Sequence, residues 1–222
     1  MQKEVDNILK ENEKRNAAIN RVFDPISGMG SIGKRAEVHI KDFPLETQYL
    51  PVEMLNVPLV KLLSKSGSIK DFLLNELEVE SYEEEDRLKV IEQFIRLRCR
   101  YDFAFWAAFY VYIKNKGGGN DVLFRLTRPQ RRFVERLESL RKAGKPIRII
   151  LLKARQWGGS TTSQLYMAWL QLVHKVGLNS LIIAHQGAGS DEIKDMFDRM
   201  IKAYPISMLY KLGEVYNENE SK

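Results

Sequence analysis

Cysteine is almost missing from this 222-residue chain, and the one thiol present, Cys99, rules out an internal disulfide. Histidine is scarce too: His39, His174 and His185 are scattered without the spacing of metal ligands. Arg98 and Arg100 flank Cys99 and would lower its pKa, but no base lies near it in sequence, so a packed thiol is expected rather than a nucleophile. No apolar run approaches the length that spans a bilayer, and the polar start Met1-Gln2-Lys3-Glu4 is unlike a secretion signal. These absences point to an intracellular protein without a membrane partner.

What is present suffices for an ordinary core, with 44% hydrophobic residues against 29% charged. The net charge of +6 is unevenly spread. From Arg96 to Arg155 there are 16 Lys/Arg against 4 Asp/Glu, so the rest of the chain carries −6. A basic region of that density suits a nucleotide, a nucleic-acid backbone, or both.

Along the chain, residues 1–116 read as a mainly helical region with an irregular arm at 23–51. Val5 to Val22 suits a helix with a thin apolar stripe. Asp24-Pro25, Ser27-Gly28, Gly30-Ser31 and Phe43-Pro44 break any long element in the arm. Ser68 and Ser81 read as helix caps, and Glu83-Glu84-Glu85-Asp86 as an acidic helix start, with a metal site as the sharper but less favoured reading. A helix through Phe94 and Cys99 runs into the aromatic stretch Tyr101 to Ile113, expected in a core or interface. Gly117-Gly118-Gly119-Asn120 marks the boundary of a second region, 117–222. There Thr127 caps a helix with Pro129 in its first turn. A strand over Ile147 to Leu152, a helix over Ser163 to Val176, a strand over Ser180 to Ala184, a turn over His185 to Gly189 and a last helix to Pro205 follow. Strand, loop, helix, strand and helix in that order give the fold class: α/β, the incomplete start of a P-loop NTPase parallel sheet.

Between the first strand and its helix lies Lys153-Ala154-Arg155-Gln156-Trp157-Gly158-Gly159-Ser160-Thr161-Thr162. A strand that turns into a helix leaves amides unpaired at the helix's positive end, and Gly158-Gly159 removes side chains that would block an anion. The stretch departs from G-x-x-x-x-G-K-[ST] in two places. Lys153 stands where the first glycine belongs, and Gly159 where the lysine belongs.

With these residues in place, the chain resembles the ATPase region of the large terminase subunit of tailed bacteriophages, the DNA-packaging motor. Three blocks carry the resemblance. Asp102-Phe103-Ala104-Phe105-Trp106 through Lys114, followed by Arg128-Pro129-Gln130-Arg131, is similar to that family's adenine-reading motif around a glutamine. Lys153 to Thr161 is similar to its variant phosphate loop. Ile182-Ile183-Ala184-His185-Gln186, with the helix from Ser190 to Ile201, is similar to its next strand and helix. The resemblance implies ATP and Mg²⁺ as cofactors, held by Pro129, Gln130, Gln156, Trp157, Gly158, Gly159, Ser160 and Thr161, with Ser160 on the metal. It also implies Lys153 as the phosphate-binding lysine and Arg155 as a cation toward the γ-phosphate. The implied partners are double-stranded DNA, a small terminase subunit and a portal protein, with an oligomeric ring possible for the full-length protein. The implied setting is the cytoplasm of a host bacterial cell.

No apolar run ending in adjacent acidic residues follows Ala184, so the family's second acidic strand, its catalytic glutamate and its nuclease domain have no counterpart. The expectation is an N-terminal fragment that binds nucleotide without turning it over. Two other readings stay open: a helicase-like translocase, which would normally keep Gly-Lys-Thr at 159–161, and a non-enzymatic interaction module with a vestigial loop.

Overall fold

The computed structural model describes residues 2–20, 22–115, 117–152, 156–174, 178–183 and 187–205. The first helix, α1 (Gln2–Asn20), exposes Val5, Ile8 and Leu9, as its thin apolar stripe foretells. The arm holds a hairpin that its turn-forming residues conceal in the sequence. β1 (Arg35–His39) pairs antiparallel with β2 (Thr47–Pro51), Arg35 opposite Pro51 and His39 opposite Thr47. Val38 and Leu50 point inward, while Glu37 and His39 face water.

After a 3₁₀ turn (Val52–Asn56), Pro58 opens α2 (Pro58–Ser66) at a position that needs no amide donor. Gly67, at φ +73°, closes it. Ser68 caps α3 (Ile69–Asn75) by accepting from the Asp71 amide at 2.9 Å. Asp42, just after β1, accepts from the amides of Ile69 and Lys70 at 2.5 and 2.8 Å, so the hairpin also caps this helix. α4 (Glu84–Tyr101) begins later than the Ser81 cap predicts. The Ser81 hydroxyl donates to the Glu83 carboxylate at 3.4 Å instead, and Glu83 occupies the cap position without accepting from a helix amide. Glu84, Glu85 and Asp86 do fill the first turn, where the helix dipole favours them, and Lys89 bridges the last two at 2.9 and 3.2 Å.

The aromatic run does not continue α4. Asp102 takes an extended conformation and caps α5 (Phe103–Tyr110), accepting from the Phe105 amide at 3.3 Å. β3 (Tyr112–Ile113) and β4 (Val122–Leu123) pair antiparallel on either side of the glycine connector. Next come α6 (Arg128–Lys142), α7 (Gly159–Trp169) with a π-helical turn at Leu170–His174, and α8 (Gly187–Ala203). Gly187 and Gly189, expected in a turn, belong to α8; Ala184, His185 and Gln186 lie outside the described residues, as do 175–177.

Among the described residues two apolar clusters result. One gathers the hairpin with α2, α3 and the first half of α4 around Leu50, Met54, Leu63 and Phe94. The other runs from Cys99 to Tyr204 and joins α5, α6, α7 and α8 around Trp106, Trp169 and Met200. Its two tryptophans are buried with their N–H groups satisfied: Trp106 donates to the Tyr204 hydroxyl at 2.8 Å and Trp169 to the Cys99 carbonyl at 2.7 Å. Ile95 of α4 packs against both clusters, so the helix is common to the two.

A buried ionic group sits at that junction. Arg35 forks onto Asp102 at 2.6 and 2.9 Å and also reaches the Tyr49 carbonyl at 2.9 Å. Arg98, only 1% exposed, donates to Gln48 at 2.6 Å and lies 3.6 Å from Asp102. Two guanidinium groups thus share one carboxylate.

The segments 147–152 and 178–183, predicted in part as strands, carry no regular hydrogen-bonded structure. Ile147, Ile149, Ile150, Leu151, Leu152, Leu181, Ile182 and Ile183 are exposed, Ile150 and Leu152 completely.

Candidate nucleotide site

The glycine loop meets α7 with an alternating backbone. Gln156 has φ +62° and Gly158 φ +81°, Trp157 between them keeps a negative φ, and helical geometry starts at Gly159. Alternation of this kind turns successive N–H groups toward one point and forms an anion-binding nest. No described residue accepts a hydrogen bond from the amides of Trp157, Gly158, Gly159, Ser160 or Thr161. The nest also lies at the positive end of α7, so dipole and amides favour the same ligand charge.

The helix behind the loop is fixed by its own hydroxyls. Thr162 donates through its amide and its Oγ1 to the Gly158 carbonyl at 3.0 and 2.9 Å, and Ser163 Oγ donates to Gly159 at 3.0 Å. Ser160 is exposed and Thr161 half-buried, and neither hydroxyl has a partner among the described residues. An exposed hydroxyl at the first helical turn, beside amides that have no acceptor among the described residues, fits the ligand set of a phosphate-bound Mg²⁺. Lys153 and Arg155, the expected phosphate cations, fall outside the described residues.

Gln130 is placed differently from what its motif implies. It is 4% exposed, and both ends of its side-chain amide are engaged. Oε1 accepts from the Thr127 amide at 2.7 Å, the glutamine half of a capping box for α6. Nε2 donates to the carbonyls of Trp157 and Gly158 at 3.2 and 3.4 Å. A Cβ added to Gly158 would overlap that same nitrogen.

A cleft of about 660 Å³ opens beside the loop, within the usual range for small-molecule sites. Phe133 and Trp157, edge to face at 6.1 Å, form its aromatic wall with Pro129 beside them. Arg128, Arg132 and Arg136, one helical turn apart on α6, form its basic rim, and Leu151 lies opposite. None of the three arginines has an acidic partner within ion-pair distance among the described residues. The acids of α6 face elsewhere: Glu138 binds Arg141 at 2.7 and 2.8 Å and accepts from the Tyr166 hydroxyl at 2.6 Å, while Glu135 lies beside Gly33. Phe133, Arg132 and Arg136 were not singled out from the sequence, although the arginine spacing of four is legible there.

A second cavity, of about 280 Å³, lies between α6 and the arm. Arg131 crosses it, stacked 4.2 Å above Phe23 and donating to the Gly30 carbonyl at 3.2 Å. Lys142 reaches Glu53 at 2.9 Å along the same wall. Cys99 is buried, and desolvation raises its pKa far above the ordinary thiol value, which suits a packed thiol and not a nucleophile. No group of three metal-binding side chains occurs among the described residues, and none of their helices is long and apolar enough to cross a membrane.

Comparison with known proteins gave no match to a family model, a curated protein or a solved structure.

Proposed function

We propose that this chain is the nucleotide-binding part of a viral or prophage DNA-packaging ATPase, the N-terminal part of a large terminase subunit. The observation that carries the reading is the nest at Gln156 to Gly159, whose amides have no described acceptor at the head of α7. ATP would place its phosphates on that nest and its base in the cleft of Pro129, Phe133 and Trp157. Mg²⁺ would neutralise charge on the phosphates, with Ser160 as its protein ligand. Lys153 and Arg155 would supply the cations.

The α/β sheet belongs to the same proposal. The apolar side chains exposed along 147–152 and 181–183 support it, because a parallel sheet buries such runs on both faces. The arginines at 128, 132 and 136 favour a polyanionic partner as well, which in this reading is duplex DNA. The small subunit, the portal and a ring assembly remain expectations of the resemblance.

Calorimetric titration of the chain with ATP and with tripolyphosphate, each with Mg²⁺, tests the site. Saturable binding is expected, weakened about tenfold or more by Lys153→Ala, a loss of one charge-assisted contact. Absence of binding by both ligands at millimolar concentration would overturn the assignment.

A further inference from the structure

The motif around Gln130 suggests a base reader, but its surroundings describe other work. A side-chain amide that reads a purine must offer one donor and one acceptor to the base edge. In this structure both are already engaged inside the protein, and the residue does not line the cleft, whose α6 wall is Arg128, Pro129, Arg132, Phe133 and Arg136. The orientation of the amide is unambiguous, because Thr127 presents only an N–H to Oε1, and Trp157 and Gly158 present only carbonyls to Nε2.

We infer that Gln130 is a positioning residue for the phosphate loop, tying the start of α6 to the two carbonyls whose peptide units shape the nest, and that it takes no part in recognising the base. This rests on the nucleotide-site reading above. The geometry gives it two consequences. Holding the carbonyls of Trp157 and Gly158 toward α6 turns the neighbouring N–H groups away from it, toward the anion. Gly158 at φ +81° leaves room for Nε2, so loop and glutamine are matched in shape as well as in bonding.

Gln130→Glu separates the two functions. Glutamate keeps the acceptor for Thr127 and is at home in a capping box, so α6 forms, but it sets a carboxylate against two carbonyls and loses the donor. Gln130→Ala serves as the second variant, each first checked for folding by thermal melting. Affinities for ATP, GTP and tripolyphosphate are then measured by calorimetry, and amide exchange at 157–161 is followed without ligand. Positioning predicts that Gln130→Glu weakens all three ligands alike, by about tenfold, leaves the ATP to GTP ratio within about twofold, and speeds exchange in the loop. A base reader would instead lose ATP affinity and its preference over GTP while tripolyphosphate binding and loop exchange stayed unchanged, and that result would overturn the inference. Should the unaltered chain bind none of the ligands, the nucleotide reading fails, while the exchange measurement still decides whether Gln130 holds the loop.

Discussion

Asp102 is the residue on which the two halves of the molecule converge. Its carboxylate is buried, caps α5 and faces Arg35 and Arg98. Burial by itself would raise its pKa, but the Arg35 guanidinium, its hydrogen bonds and Arg98 together hold it below the ordinary carboxylate value. Arg98 responds in the opposite sense to its own burial, only partly offset by Asp102, and falls to about 10. Asp102→Asn should therefore cost about 3–5 kcal/mol, since it strands two buried cations, and denaturant titration would read it directly. The sign with pH follows. A depressed carboxyl pKa contributes stability that is complete above the unfolded value of about 3.9 and is lost as pH falls through the folded one. His174 adds an earlier step. Desolvation, helped by Arg141, lowers its pKa to about 4 from an ordinary value of 6.5 as it packs edge-on 4.4 Å from Trp169. The unfolded chain takes up that proton first, so stability should begin to fall below about pH 6.5, before the Asp102 step. Melting temperatures from pH 7 to pH 3 should show both stages, and His174→Phe should remove the first.

Among the elements, those announced by local chemistry were legible. Thr127 and Pro129 mark the start of α6 and Ser68 that of α3, because each satisfies or dispenses with an orphan amide within a few residues. Elements that depend on distant partners were not. The β1–β2 hairpin is short, charged on one face and interrupted by turn residues, and it is held by Arg35 reaching Asp102, 67 positions away. The split between α4 and α5 has the same origin, since Asp102 leaves the helix to meet that arginine. In the candidate site, the glycines and hydroxyls stand in the order of the loop residues ahead of α7, whereas the two bonds from Gln130 to the loop exist only once α6 lies against it. Gly158 tests this element. Gly158→Ala forces a Cβ into a left-handed backbone and against Gln130, and should cost about 1–2 kcal/mol together with most of the phosphate affinity. Chemical denaturation and tripolyphosphate titration of the same variant would check both parts.

For the molecule as a whole, the apolar side chains left outside the two cores matter more than those within them. Ile147 to Leu152 and Leu181 to Ile183 offer water a set of aliphatic groups that a folded chain ordinarily buries. Such segments are also rich in β-branched residues, which suits them to pair with one another across copies. Sedimentation velocity should show association that grows with concentration, and the double change Ile150→Lys with Leu152→Lys should suppress it; a monomer at every concentration would contradict this. Inside a cell, chaperones and proteases sample the same feature, because both recognise extended aliphatic stretches. The abundance of this chain would then be governed less by the free energy of its two cores than by how quickly a partner covers those nine residues after synthesis.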